Sequence, residues 1–195
     1  MAKDPTRLDD AGNWVGGGYE LALQLGPPDD ARLEHAAGLL WRLAGVVGSP
    51  TESALAEESP PPSLDQGHAR GVVTMPDGPR VVCRGFVHRD DAGGDDWLVL
   101  YLPLGALERA DRRVGGYPFG DVRDSLSWRR PLDAWLASLA ERLLEDVAFR
   151  VGLIGFDVFG DIEADDLTGG IPSDRWYGAV VPHLTPRYLP ATSSS

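Results

Sequence analysis

The sequence predicts an α+β fold, a mainly antiparallel sheet of about five or six strands with two helices packed on one face. Three observations carry that prediction. Strand-length segments of alternating or continuous apolar character outnumber helical ones. Only two long segments repeat their apolar residues at helical spacing, and three strands in a row separate them. A ferredoxin-like arrangement with additions is the expected topology.

The first strand is read from Val15 to Leu25, where Tyr19, Leu21, Leu23 and Leu25 alternate with Glu20, Ala22 and Gln24. That period predicts one buried and one solvated face. Pro27 and Pro28 make the following turn, and Asp29 or Asp30 caps a helix expected to run to about Val46. Leu33, Ala36, Ala37, Leu40, Ala44 and Val47 form its apolar stripe. Residues 48–66, rich in Pro, Ser and Glu, read as a mobile surface linker. A hairpin follows, with strands over Ala69 to Met75 and Arg80 to Arg89 around Pro76, Asp77 and Gly78. Trp97 to Leu102 is apolar on both faces and is expected at the sheet centre. A short helical turn fits Leu104 to Ala110, and residues 111–130 read as a long loop. The second helix starts with Pro131 in its first turn, and Leu132, Trp135, Leu136, Leu139, Leu143 and Val147 share its apolar face. Two more strands are expected at Phe149 to Val158 and Trp176 to Leu184. The whole reads as one α+β domain over 14–184, with a disordered amino-terminal tail at 1–13 and a carboxy-terminal tail at 185–195.

Composition excludes several functional classes. The longest apolar stretch, Trp97 to Leu107, is too short for a membrane span, and the first residues lack the apolar centre of a signal peptide. A single cysteine, Cys83, forms no internal disulfide, so a cytoplasmic setting is expected. Thirty acids against eighteen bases give a net charge of −12, which opposes nucleic-acid binding and favours a basic protein partner. Seventeen of those bases are Arg and only Lys3 is Lys, a pattern of GC-rich codons, so only the placement of the arginines is informative.

Motif spacing points to no catalytic residue, cofactor or metal. His35, His68, His88 and His183 form no paired-ligand spacing. Asp157, Asp161, Glu163, Asp165 and Asp166 miss the EF-hand register, since Asp166 falls where glycine is required and Pro172 where a bidentate glutamate is. Phosphate-loop, dinucleotide and nucleophile-elbow motifs are absent.

One stretch stands apart from the acidic background. Between Arg109 and Arg130, six arginines face Asp111, Asp121 and Asp124, a local charge of +3 against −15 for the remaining chain. Tyr117, Phe119 and Trp128 lie in the same stretch. Arg, Tyr and Trp predominate at binding hot spots, so Arg112, Arg113, Tyr117, Phe119, Arg123, Trp128 and Arg130 are the candidate binding residues. The leading expectation is a protein-binding module, such as a bacterial toxin-neutralising immunity-like protein or an adaptor. One alternative is a small-anion-binding or hydrolytic enzyme using the arginines of 109–130, with an acid from 157–166 as base. Another is a structural subunit of a larger assembly.

Overall fold

The computed structural model describes residues 4–48, 68–89, 94–114 and 122–193, with the backbone alone at 68 and 122–125. Eight strands form one antiparallel sheet: β1 (Gly18–Gly26), β2 (Val47–Gly48), β3 (His68–Thr74), β4 (Arg80–Arg89), β5 (Asp96–Pro103), β6 (Val151–Phe156), β7 (Gly178–Val180) and β8 (Tyr188–Leu189). Their order across the sheet is β2-β3-β4-β5-β1-β6-β7-β8. The α+β class is as read from sequence, but the sheet has eight strands rather than five or six. The two extra edge strands, β2 and β8, span two residues each, too few to show any period.

Three helices, not two, cover one face: α1 (Asp30–Ala44), α2 (Leu104–Ala110) and α3 (Val122–Leu143). Asp29 caps α1 by accepting from the Arg32 N–H, and Gly45 ends it in the left-handed region at φ 64°. Trp41 of α1 lies against Gly71 and Gly85 on neighbouring strands, where a Cβ would collide with the indole or with Val46. Leu33, Ala36, Leu40, Leu132, Leu136, Leu139 and Leu143 pack onto Leu21, Leu23, Leu98, Leu100 and Ile154 in the larger apolar cluster.

The largest correction concerns 122–130, which is helix and not loop. Pro131 therefore sits inside α3, not in its first turn. Proline cannot donate the helical bond there, so packing holds this segment helical. Trp128, Arg129 and Leu132 are all buried against the sheet side. The 49–66 linker, Tyr117 and Phe119 lie outside the described residues, as does the side chain of Arg123.

The second face of the sheet is not solvated, as the alternation in β1 had suggested. Val158, Phe159, Ile162, Leu167 and Tyr177, from the segment joining β6 to β7, pack on Ala22, Trp97, Val99, Val151 and Leu153. Glu20 and Gln24 consequently lie at 4% and 1% exposure. Residues 4–13, expected as a tail, follow the rim of β4. Val82 N–H donates to the Pro5 carbonyl, and buried Asn13 donates through Nδ2 to the carbonyls of Asp4 and Arg7. At the other end Arg175 donates to the Pro190 carbonyl, which ties down the chain beyond β8.

Candidate functional site

The β3–β4 turn, α2 and the middle of α3 enclose a cavity of about 280 Å³. Local sequence builds each wall. Met75 N–H donates to the Pro79 carbonyl at 2.8 Å and Gly78 takes φ 97°, which closes the turn and places Pro76 and Pro79 on one side. Strand β5 ends at Pro103 and passes directly into α2, bringing Leu107 and Ala110 to the second side. Trp128, Pro131 and Leu132 of α3 make the third, with Val114 beside them. The lining is apolar apart from Asp77, Asp111 and Arg113. Arg113 grips Asp111 through Nη2 at 2.6 Å, which holds the Asp111 carboxyl below its ordinary range. Asp77 makes no ion pair among the described residues, and with Asp111 and Arg113 it leaves the lining net acidic.

Of the candidate binding residues, the structure brings Arg113 and Trp128 to this one cavity. Arg112 and Arg130 are exposed and line neither this cavity nor the other one described below. Trp128 has a structural part as well: it is buried, with its ring 5.6 Å from Tyr19 and 5.8 Å from Phe156. Arg109 is also committed, to Asp10 at 2.7 Å and to Asn13. No residue of 157–166 lines the cavity that holds Arg113.

Sequence reading missed the most deeply buried polar group of the helix face. Arg129 of α3 is fully buried and donates through Nε to Tyr19 Oη at 3.0 Å and through Nη2 to the Trp176 carbonyl at 2.6 Å. The Tyr19 hydroxyl in turn donates to Asp133, one helical turn beyond Arg129. Burial pushes the Asp133 carboxyl up to about 6 and the Tyr19 phenol well above its usual value. The i, i+4 spacing of Arg129 and Asp133 was the available signal. It was obscured because Pro131 lies between them and resembles a helix start.

On the second face, burial pushes the Glu20 carboxyl up to about 7, although Phe159 N–H donates to Glu20 Oε2 at 3.1 Å. Gln24 is fully used, accepting from Ala164 N–H and donating to Asp95. A second cavity of about 610 Å³ lies between Phe149, Val151, Val181 and the loop around Leu167 and Ile171, with Arg150, Asp165 and His183 at its walls. Arg150, the arginine of its lining, is bound to Asp95 and Asp165. Among the described residues no three His, Cys, Asp or Glu side chains converge as a metal site, and no helix is long and apolar enough to cross a membrane. Comparison with family models, with curated proteins and with solved structures gave no match.

Proposed function

We propose that this chain is a protein-binding module, of the toxin-neutralising or adaptor kind, that receives an apolar and basic segment of its partner in the cavity between the β3–β4 turn, α2 and α3. One observation carries the reading: an apolar-lined cavity of about 280 Å³ whose charged groups, Asp77 and Asp111 against Arg113, are net acidic, on a chain of net charge −12. Such a volume suits one or two large side chains, the usual form of a hot-spot anchor. The acidic field around it draws a basic partner into encounter. Val15 and Val47 are the exposed large apolar side chains among the described residues, isolated rather than forming a patch, which gives the structural-subunit alternative little support. A cytoplasmic setting accompanies this reading, with buried Cys83 pushed up to about 12 and so unreactive. The same reading takes β4-β5-β1-β6 with α1 and α3 as a ferredoxin-like centre extended at both edges.

Photo-crosslinking tests the reading. A crosslinking residue at position 113 is expected to capture one stoichiometric partner in the native host, whereas one at position 42, exposed on α1, captures none. Filling the cavity by Ala110→Trp should abolish the adduct in a protein that still folds, and the purified partner should bind with an affinity that falls as salt is raised. No adduct at 113, or an adduct indifferent to Ala110→Trp, overturns the reading.

A further inference from the structure

A row of directly paired residues crosses the second face of the sheet: Arg70 of β3, Arg84 of β4, Tyr101 of β5 and Glu20 of β1. Residues opposite one another in an antiparallel pair share a face with Cβ atoms about 5 Å apart, and like charges in that relation destabilise the sheet. Arg70 and Arg84 stand in that relation. Among the described residues neither makes an ion pair, and the buried Nε of Arg84 has no hydrogen-bond partner.

Carboxylates are not scarce in this chain, with thirty against eighteen bases. Arg89 and Arg150 are each gripped by two of them, Asp30 with Asp96 and Asp95 with Asp165. Arg70 and Arg84 are instead laid on aromatic rings. The Arg84 guanidinium carbon is 4.5 Å from the Tyr101 ring centroid and 5.1 Å from that of Phe86, and Arg70 is 4.8 Å from the Trp14 ring. Stacking fixes the guanidinium planes, and exposed Arg70 keeps its N–H edge available while the Nε of half-buried Arg84 stays beneath the surface. Glu20 lies within electrostatic reach of Arg84, but neither it nor Asp157 makes an ion pair with that arginine. Asp157 Oδ1 accepts from Gly18 N–H at 2.8 Å, and Glu20 accepts from Phe159 N–H while burial keeps it partly protonated at neutral pH.

We propose that Arg70 and Arg84 form a binding site for the phosphoryl group of a small molecule. A phosphate dianion balances both cations and presents oxygens to two separate guanidinium groups, where a single carboxylate balances one and spans one fork. The rings of Trp14 and Phe86 beneath the arginines favour a ligand whose phosphoryl group is carried on an apolar or aromatic body. This site lies on the face opposite the helices and is independent of the partner-binding cavity.

Calorimetric titration with phenyl phosphate, inorganic phosphate and benzoate at neutral pH tests it in the absence of any partner. Wild-type protein is expected to give saturable heat with both phosphates, tighter for phenyl phosphate, and to bind benzoate about tenfold more weakly or worse. Exposed Arg70→Gln and stacked Arg84→Gln should each weaken phosphate binding by about tenfold or more, while Arg42→Gln on α1 leaves it unchanged. Circular dichroism establishes that each variant is folded, and exposed Arg70 serves even if Arg84→Gln is not. Absence of saturable heat in the wild type, benzoate binding as tight as phenyl phosphate, or equal weakening by Arg42→Gln would each overturn the assignment.

Discussion

The two faces of one sheet solve the burial of polar groups in opposite ways. On the helix face, large apolar side chains from α1, α2 and α3 exclude water, and the buried Arg129 donates to Tyr19 and the Trp176 carbonyl with Asp133 close by, its Nη1 left without a hydrogen-bond partner among the described residues. On the opposite face, a long connection carrying one 3-10 turn, Ala164–Leu167, provides the cover, and its backbone N–H groups serve Glu20 and Gln24. Helix backbone is consumed by its own hydrogen bonds, so a helical cover must bring side chains to meet buried charge. A loop cover brings backbone donors, and beyond its reach Arg84 and Arg70 make no ion pair among the described residues.

The comparison breaks most readily at Trp128. If this tryptophan belongs to the helix-face packing, Trp128→Ala should cost about 4 kcal/mol in urea denaturation; a purely surface binding residue would cost almost nothing. Arg129→Met should cost about 3 kcal/mol, because Tyr19 and Asp133 lose the cation between them. Adding Asp133→Leu should restore much of that loss, since a satisfied apolar pair replaces an orphaned carboxyl.

The loop-covered face should reveal itself through pH. Glu20 has an ordinary value of 4.5 and is raised to about 7 in the folded protein by burial, so the folded chain holds a proton that the unfolded chain releases. Its contribution to stability is full below pH 4.5 and is lost as pH rises through 7. Asp133, raised from 3.8 to about 6, acts in the same direction over a lower window. Glu20→Gln should therefore remove about 2 kcal/mol of the decline in stability between pH 4.5 and 7.5, measured by denaturant titration across that range. Smallest of all, Arg112→Ala and Arg130→Ala should change stability by no more than about 0.5 kcal/mol, both side chains being exposed and without ion pairs among the described residues.

Local chemistry was legible in the sequence. The Pro76, Asp77, Gly78 turn, the Asp29 cap and the doubly apolar β5 each announce themselves within a few residues, and each stands where its pattern placed it. Non-local cover was not legible. Val158, Phe159, Ile162 and Leu167 follow no helical or strand period, so nothing in β1 indicated that its Glu20 side would be buried too. The start of α3 was hidden because its buried face carries Arg129 instead of another leucine, and a charged residue at a core position breaks the apolar stripe by which a helix is recognised. The candidate site was legible in part. Arg113 and Trp128 do meet at a cavity, but its other walls come from the β3–β4 turn and α2, far from them in sequence and unremarkable by composition.

One spectrum compares the two faces directly: the arginine Nε–H signals of the isotope-labelled protein, followed in heavy water and then during addition of phenyl phosphate. The Arg129 signal, sealed beneath α3 and bonded to Tyr19, should persist long after that of exposed Arg70 has exchanged, and only the Arg70 and Arg84 signals should shift as phosphate is added in light water. An Arg129 signal that exchanges as quickly as Arg70, or that moves with phosphate while Arg84 stays fixed, would contradict the division of the molecule into a sealed helix face and a loop-covered face that ends in two stacked arginines.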